Sequence, residues 1–518
     1  MEGQQNSDSE RKRRMAGKTL IKLNGISISF GGVHALQDVD FEVLEGQTLC
    51  LAGENGGGKS TLIKIISGFY RPDRGTIEID GKQYSHLTPK QAINLGIQVI
   101  YQDFAIFPNL TVAENIALSA ERLDGRKTVN WKNVRKRAQE ALDMINVKMD
   151  LDAILADLPV ASKQLVAICR SLLQNARLLI MDEPTTALTK NEINSLFKVI
   201  RDLQKKGISV IFVSHKLDEV YEVAEQLVIL RNGKKVIEGP IREFDRKRFI
   251  YYMTGREIES ETFEAKNIGS EPVLEVRNIG IKDLFADISF KLYAGEVLGI
   301  TGLLGSGRSE LARALFNLEK IDTGQIFLEG KELKLSSVKD AINAGIAYVP
   351  EDRLTEGLFM PQTISRNMIS AVIERNLNKA GLIDNAGVKE RSAEWVKELK
   401  VKTPSTELPV QALSGGNQQK VVLAKWLSTK PKVLILNSPT VGIDVGAKAD
   451  IYAYTRRLAE EGIGVIIISD DLPEVLDNCN RALIMKRGRL AGEFETSEMN
   501  ETRLADILAE ASGKGGAA

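Results

Sequence analysis

Short apolar runs alternate along the chain with stretches whose apolar residues recur every three or four positions. The runs at 178–181 and 208–213 are typical of buried strands, whereas residues 131–145 have helical spacing. This alternation predicts an α/β fold with helices on both faces of a mostly parallel sheet. Between 102 and about 170, and again between 351 and about 425, the spacing becomes mostly helical. We therefore expect a helical subdomain inserted at each of these two places.

The second half of the chain repeats landmarks of the first half in the same order. The matched segments are 53–60 with 302–309, 96–102 with 345–351, 178–185 with 433–440, and 213–215 with 468–470. A repeat of this length predicts two tandem copies of one domain. The predicted organisation is a disordered tail at 1–18, a first domain at 19–253, a linker at 254–271, a second domain at 272–511 and a disordered tail at 512–518.

Composition and charge narrow the classes of protein to consider. The 518 residues are too many for one ordinary domain, and 69 basic residues balance 69 acidic ones, so the overall charge gives no argument for a nucleic-acid partner. Cys50, Cys169 and Cys479 are scattered, which predicts neither a zinc ribbon nor a disulfide framework and fits a reducing compartment. No apolar run is long enough for a membrane helix, and the first residues lack the apolar core of a secretory signal.

One glycine-rich run carries the strongest chemical signal in the chain. It follows an apolar strand, precedes a helix-compatible segment and fits the pattern G-x-x-x-x-G-K-[S/T]; it reads Gly53, Glu54, Asn55, Gly56, Gly57, Gly58, Lys59, Ser60 and Thr61. Glycines let backbone N–H groups approach phosphates, Lys59 supplies a cation and Ser60 offers a hydroxyl to Mg²⁺. The run therefore predicts a nucleotide site; the alternative is a glycine-rich turn without a ligand.

An apolar run that ends in Asp182 and Glu183 predicts a strand that brings two carboxylates to the sheet edge beside the phosphate loop. There Asp182 is expected to hold Mg²⁺, directly or through water, and Glu183 to orient and polarise the attacking water. The alternative is an acidic pair that only caps the next helix. The acidic pair follows the loop that contains Lys59 along the chain, and this order favours the catalytic interpretation.

Three further residues are candidates on weaker grounds. His215, at the end of an apolar run, is placed to hydrogen-bond the γ-phosphate, although a lone histidine more often satisfies a structural contact. Gln102 is a candidate contact to Mg²⁺ or to the attacking water through its amide oxygen. Phe30 is a candidate to stack on adenine, and burial in the core is the alternative.

The segment 413–420 reads Leu-Ser-Gly-Gly-Asn-Gln-Gln-Lys, and with the residues above it resembles the nucleotide-binding proteins of ABC transporters. The tandem halves and the segments 349–353 and 442–448 are similar to the ribose/galactose-type sugar importers. The resemblance implies two tandem P-loop NTPase domains of the ABC type, with ATP and Mg²⁺ as cofactors. It also implies that Ser414, Gly415, Gly416 and Asn417 form a signature that contacts the nucleotide.

In this family each nucleotide lies between the phosphate loop of one half and the signature of the other. The resemblance thus implies a complete site one, in which Lys59, Ser60, Gln102, Asp182, Glu183 and His215 meet the signature at 414–417. Site two lacks part after part: Arg308, Asn437, Ser438 and Asp470 stand where Lys59, Asp182, Glu183 and His215 stand in site one, and Pro159 replaces the signature serine. The family commonly keeps the acidic pair at 437 and 438, so this chain departs from it there. We predict one hydrolytic and one silent site.

The resemblance further implies an ATPase that drives import through separate partners. ATP closes the halves and hydrolysis reopens them, and the movement is passed to integral-membrane permease subunits, expected to be a dimer, that dock near Gln102 and Glu351. An extracytoplasmic solute-binding protein takes part indirectly, and this chain is expected to contact no sugar and no nucleic acid. The expected location is peripheral, on the cytoplasmic face of the inner membrane.

Two other classes of function are weighed against an import ATPase. A soluble tandem ABC protein acting on ribosomes or nucleic acid would also lack membrane helices, but it tends to carry a long charged linker, a basic surface or zinc-binding cysteines. A non-hydrolysing ATP-gated scaffold would explain the losses in the second half. The intact Glu183 and His215 argue against the scaffold.

Overall fold

The computed structural model describes residues 18–31, 33–101, 105–123, 129–185, 188, 190–214, 216–257, 268–303, 305–500, 503–504 and 507. The chain divides into two compact units, residues 1–258 and 259–518. Each unit contains a mostly parallel sheet, a smaller antiparallel sheet and helices. This organisation is the predicted α/β fold with two tandem copies of one domain.

Within its described residues, the first unit contains two sheets. Their strands are β1 (Thr19–Phe30), β2 (Val33–Leu44), β3 (Thr48–Ala52), β4 (Arg74–Ile79), β5 (Lys82–Tyr84), β6 (Ile97–Ile100), β7 (Leu178–Asp182), β8 (Ser209–Val213), β9 (Gln226–Arg231) and β10 (Lys234–Pro240). In the larger sheet the order is β10-β9-β3-β8-β7-β6, and all neighbours are parallel except β9 and β10. The antiparallel sheet has the order β2-β1-β4-β5.

Helices of the first unit connect these strands. They span Lys59–Ile66, Pro89–Asn94, Val112–Leu123, Trp131–Met144, Val160–Leu173, Lys190–Lys205, Leu217–Val223 and Arg246–Thr254. Those from Val112 to Leu173 lie between β6 and β7 in the chain and form the predicted helical insertion. The helix predicted at 131–145 ends one residue earlier, at Met144, and begins after Asn130, whose side chain accepts a hydrogen bond from the N–H of Asn133.

The second unit repeats this layout. Its strands are β11 (Pro272–Ile281), β12 (Phe285–Tyr293), β13 (Val297–Gly302), β14 (Thr323–Leu328), β15 (Lys331–Glu332), β16 (Ile346–Val349), β17 (Val433–Asn437), β18 (Gly464–Ile468), β19 (Arg481–Lys486) and β20 (Arg489–Glu495). The sheet orders are β16-β17-β18-β13-β19-β20 and β12-β11-β14-β15. The α-helices span Arg308–Leu315, Val338–Ala344, Ile364–Ile369, Asn385–Glu398, Gly415–Leu427, Val445–Glu460 and Leu472–Asn478.

Burial explains why the central strands have continuous apolar sequences. All five residues of β3 and of β8 are buried, as expected for parallel strands covered on both faces. The three cysteines are buried and unpaired, and burial raises the pKa of the Cys169 thiol to about 12. Among the described residues, no helix is both long and apolar enough to cross a membrane.

Candidate functional site

The phosphate loop of the first unit joins β3 to the helix Lys59–Ile66. Gly58 caps this helix with a φ of 107°, a left-handed conformation that favours glycine. Gly53 lies against the backbone of β9, where an added Cβ would stand 2.2 Å from the carbonyl oxygen of Leu230. A Cβ at Gly57 would stand 2.9 Å from the same oxygen. Glycine is therefore a steric requirement at positions 53 and 57, in a loop that leads to a helix N-terminus, where backbone N–H groups favour anions.

Lys59 points back into this loop. Its ammonium group donates hydrogen bonds to the carbonyl oxygens of Gly53, at 2.6 Å, and Glu54, at 3.0 Å, and the side chain is buried. Asn55, Gly56 and Ser60 are exposed on the open side of the loop, and Thr61 is partly buried. A buried cation inside a glycine-lined turn fits the binding of a phosphate anion.

Asp182 and Glu183 lie at the carboxyl end of β7, as the sequence predicts. Burial raises the pKa of the Asp182 carboxyl, the neighbouring Glu183 raises it further, and Lys59 opposes both effects. Two neighbouring carboxylates at a half-buried strand end would be stabilised by a cation. Ser60 and Asp182 therefore fit Mg²⁺, since a hydroxyl and a carboxylate are hard oxygen donors.

Glu183 itself has a φ of 46°, in the left-handed region that non-glycine residues rarely adopt. Its backbone N–H donates to the carbonyl oxygen of Val213 at 3.1 Å, which ties the end of β7 to the end of β8. Such strain is retained where surrounding contacts hold it, and it is frequent at functional sites. Glu183 is thus fixed by its backbone at the edge where the phosphate loop also opens.

Phe30 is the last residue of β1 and is 44% exposed, so the structure excludes the alternative of core burial. Its ring packs on that of Tyr70, with centroids 5.1 Å apart at 56°. Tyr70 follows the helix of the phosphate loop in the chain. An exposed ring held from one side is suited to stacking on a base.

The signature begins the helix Gly415–Leu427 in the second unit, with exposed Ser414 at its N-cap. The amide of Asn417 donates to the Ser414 hydroxyl at 2.8 Å. A Cβ on Gly416 would lie 2.3 Å from Cβ of Ala447, and one on Gly415 would lie 2.8 Å from Nη2 of Arg353. The two glycines let neighbouring segments approach this helix N-terminus, which favours negatively charged groups.

The second phosphate loop resembles the first at the glycines before its helix, since Gly305 and Gly307 have φ values of 76° and 94° where Gly56 and Gly58 have 81° and 107°. Ser438 has a φ of 47° and donates its N–H to the carbonyl oxygen of Ile468 at 2.8 Å, as Glu183 does to Val213. Arg308 is buried, donates to the carbonyl oxygen of Gly302, and lies 3.4 Å from the carboxylate of Asp470. The unit therefore keeps the scaffold of the site without its carboxylate pair.

Two more positions distinguish the second unit. The amide of Asn437 donates to the Tyr348 hydroxyl at 3.3 Å, and the Ser309 hydroxyl donates to Asn437 Oδ1 at 3.5 Å. The hairpin after β11 is shorter than the one after β1, because the strand registers pair Ile28 with Leu36 but Ile281 with Phe285. Residues 282–284, which form this shorter turn, include no aromatic ring. The asymmetry of the two halves thus extends to the position expected to contact the base.

Gln102 and His215, both predicted from sequence to take part in catalysis, lie outside the described residues, and their roles stay predictions. Sequence reasoning missed Tyr70, the shorter hairpin after β11 that lacks a counterpart of Phe30, and the buried Glu219 near the ends of β7 and β8. A signal for Glu219 exists in the repeat, because a serine is followed five positions later by a glutamate in both halves, at Ser214 and at Ser469.

A glycine-lined loop, a buried lysine and strand-end carboxylates together define the first unit as a P-loop nucleotide-binding domain. The second unit repeats the fold of this domain. The family model described as ABC transporter matches residues 36–186 and 285–441. The chain is similar to ribose import ATP-binding proteins of Rhizobium johnstonii (41% identical, covering 94% of both chains), Rubrobacter xylanophilus (42%, covering 94% of this chain and 97% of the relative) and Corynebacterium glutamicum (42%, covering 92% and 90%).

The chain belongs to the ABC transporter family, among its tandem ATP-binding proteins of the ribose import type. It is an ATP-binding subunit, and thus an ATPase coupled to transport. The rival assignment to a soluble protein acting on ribosomes or nucleic acid is not favoured.

Proposed function

We propose that this chain powers a ribose-type sugar importer through a single hydrolytic site, formed on the phosphate loop of the first unit. The observation that carries the proposal is the comparison of Glu183 with Ser438. Both residues have the same left-handed backbone and the same N–H bond to the neighbouring strand. Only Glu183 has a carboxylate that can polarise water. The catalytic chemistry is therefore confined to one of two equivalent scaffolds.

In the proposed site, Lys59 and the N–H groups of residues 53–61 bind the phosphates of ATP. Ser60 and Asp182 would hold Mg²⁺, with Gln102 as a further ligand; the ion would neutralise charge on the β- and γ-phosphates. Glu183 orients and polarises the attacking water, and His215 contacts the γ-phosphate. Phe30 stacks on the adenine.

The signature residues are proposed to complete this site. Family resemblance supports contacts of Ser414, Gly415, Gly416 and Asn417 with the γ-phosphate. The geometry of the signature also supports it, because an exposed hydroxyl and a helix N-terminus are both donors suited to an anion.

The second phosphate loop is proposed to be silent. Arg308 has a carboxylate partner, Asp470, and the planar guanidinium is not equivalent to the compact ammonium of Lys59. Asn437 and Ser438 carry no charge to hold a metal ion or to act as a base. Pro159, at the N-cap of Val160–Leu173, offers no hydroxyl where Ser414 offers one.

Import ATP-binding subunits work with membrane permeases and lie at the cytoplasmic side of the membrane. We propose that the permease of this chain is a dimer that docks near Gln102 and Glu351, and that an extracytoplasmic solute-binding protein selects the sugar. The names of the relatives make ribose the first sugar to test. The chain itself is proposed to make no sugar contact.

The single-site proposal is tested by steady-state ATP hydrolysis of the purified chain, comparing Glu183→Gln with the matched control Ser438→Ala. We expect Glu183→Gln to lower turnover about 10²- to 10⁴-fold, the range for loss of a general base, with nucleotide binding retained. Ser438→Ala should leave turnover near that of the unmodified chain. Near-normal turnover in Glu183→Gln, or a large loss in Ser438→Ala, would overturn the proposal.

A further inference from the structure

Glu219 is a buried acidic side chain close to the ends of β7 and β8, and the functions assigned above do not use it. It is the third residue of the helix Leu217–Val223 and is 7% exposed. The hydroxyl of Thr185 donates to its Oε2 at 2.7 Å, and the hydroxyl of Ser214 donates to the same oxygen at 2.9 Å. One carboxylate oxygen thus joins a residue that follows β7 to a residue that follows β8.

The second oxygen of this carboxylate also has a partner. The ammonium group of Lys216 lies 3.2 Å from Glu219 Oε1. Burying a carboxylate is costly unless donors replace the lost water, and here two hydroxyls and an ammonium group do so. The arrangement is therefore a specific structure rather than a chance contact.

The two hydroxyl-bearing residues flank the proposed catalytic positions. Thr185 is two residues after Glu183, whose N–H is bonded to Val213, the residue before Ser214. The Ser214 hydroxyl also accepts the N–H of Lys216 at 3.1 Å, so this side chain bridges the backbone on both sides of position 215. Glu219 thereby ties together the backbone segments that carry Glu183 and Ser214.

A related arrangement occurs in the second unit around Glu474, the third residue of Leu472–Asn478, although its two hydroxyl donors contact different carboxylate oxygens and its cation comes from the helix Val445–Glu460. Its carboxylate accepts hydrogen bonds from the hydroxyls of Ser469, at 2.7 Å, and Thr440, and lies 2.6 Å from the ammonium group of Lys448. This unit has Ser438 where the first has Glu183, so the chain provides an internal control in which the contacts occur without the proposed base.

We propose that Glu219 is a positioning residue for ATP hydrolysis, which holds Glu183 in register across the ends of β7 and β8. The inference rests on the proposed function, because it needs the first unit to be the hydrolytic one. Glu219 acts through Thr185 and Ser214 and contacts no nucleotide in this proposal. Its effect should appear in the chemical step, since a displacement of about 1 Å in a reacting group can cost about 10²-fold in rate.

The test measures kcat and KM for ATP, nucleotide affinity and Tm in Glu219→Ala, Glu219→Gln and Glu474→Ala. Glu219→Ala should lower kcat about 10- to 100-fold with nucleotide affinity nearly unchanged. Glu219→Gln keeps a carbonyl oxygen that can accept from both hydroxyls, so its kcat should lie closer to that of the unmodified chain. Glu474→Ala removes the corresponding contacts with Thr440 and Ser469 and should lower Tm without lowering kcat.

A second variant keeps the proposal testable if Glu219→Ala fails to fold. Thr185→Val with Ser214→Ala removes both hydroxyls but leaves the carboxylate with Lys216, and it should reproduce the loss of kcat. Equal losses of kcat in Glu219→Ala and Glu474→Ala, or an unchanged kcat in the hydroxyl variant, would overturn the proposal. Glu183→Gln separates a failure of the proposed function from a failure of the role proposed for Glu219. If Glu183→Gln keeps full turnover, the single-site function itself is wrong, whatever the Glu219 variants show.

Discussion

The guanidinium group of Arg308 lies 3.4 Å from the carboxylate of Asp470. Arg308 stands in the second phosphate loop where Lys59 stands in the first, and Asp470 aligns with His215. The cation that would attract phosphate is therefore paired with an anion of the same unit. An incoming nucleotide would meet the negative charge of Asp470 beside the loop.

Removing Asp470 should increase nucleotide binding to the second unit. In Asp470→Ser the phosphates no longer meet a like charge, and a screened interaction of about 1 kcal/mol at 4 Å corresponds to about a fivefold gain in affinity. Equilibrium dialysis with ATP in a Glu183→Gln background measures the number and affinity of the sites. The double variant Arg308→Ala with Asp470→Ser is the control and should show no gain; a single variant that binds as its parent does would contradict the effect assigned to the ion pair.

Restoring the missing carboxylates should not restore hydrolysis in the second unit. Asn437→Asp with Ser438→Glu returns the acidic pair, but Arg308, Asp470 and Pro159 remain unsuited to the reaction. In a Glu183→Gln background we expect turnover to stay at the level of that single variant. Acid-quenched phosphate release measures it, and a new burst of phosphate would refute this account of the second unit.

Phe30 should contribute to nucleotide affinity rather than to the fold. Stacking of a base on an aromatic ring is worth about 1–3 kcal/mol, so Phe30→Ala should raise the Kd for ATP about 5- to 100-fold. Phe69→Ala is the matched control, because Phe69 is also exposed and contacts the same Tyr70 ring, with centroids 5.5 Å apart. Equal effects of both substitutions on Kd would argue against stacking at Phe30.

An ion pair between the two sheets of the first unit gives a pH-dependent stability. Arg177 donates two hydrogen bonds to Asp80, at 2.6 and 2.9 Å, and these lower the pKa of the Asp80 carboxyl to about 2. A carboxyl with a lowered folded-state pKa stabilises the fold above its unfolded pKa of about 3.9, and this contribution is lost as pH falls toward 2.

Asp80→Asn should therefore lower Tm at pH 7, with an energetic cost of up to about 1 kcal/mol because the pair is largely exposed. The difference from the unmodified chain should shrink at pH 3. Arg177→Gln removes the stronger of two cationic partners of Asp80, the other being Lys18 at 3.3 Å, and should show part of the same convergence. A difference in Tm that is equal at both pH values would contradict the assignment.

The sequence predicted those parts of the site that are local in the chain. The loop at 53–61 and the pair Asp182 and Glu183 are continuous motifs, so their positions at strand ends follow from the apolar runs before them. Duplication was equally visible, because the landmarks repeat in order. For Phe30 the sequence left burial and stacking open; its exposure in the fold excludes burial, and stacking on adenine stays a prediction.

Contacts between distant residues were beyond sequence reasoning. Thr185, Ser214 and Glu219 become neighbours because β7 and β8 are adjacent parallel strands, and the strand order must be known before that contact can be foreseen. The pairing of Arg308 with Asp470 escaped prediction for the same reason, although both residues were recognised as departures from the first half.

The central claim, one hydrolytic site on the first phosphate loop, is tested most directly by locating trapped nucleotide. The chain is allowed to turn over a photoreactive ATP analogue with vanadate, cross-linked, digested and mapped by mass spectrometry. The account predicts vanadate-dependent labelling of peptides near Phe30 and the loop at 53–61 alone. Comparable vanadate-dependent labelling near Ile281 and the loop at 302–309 would contradict it.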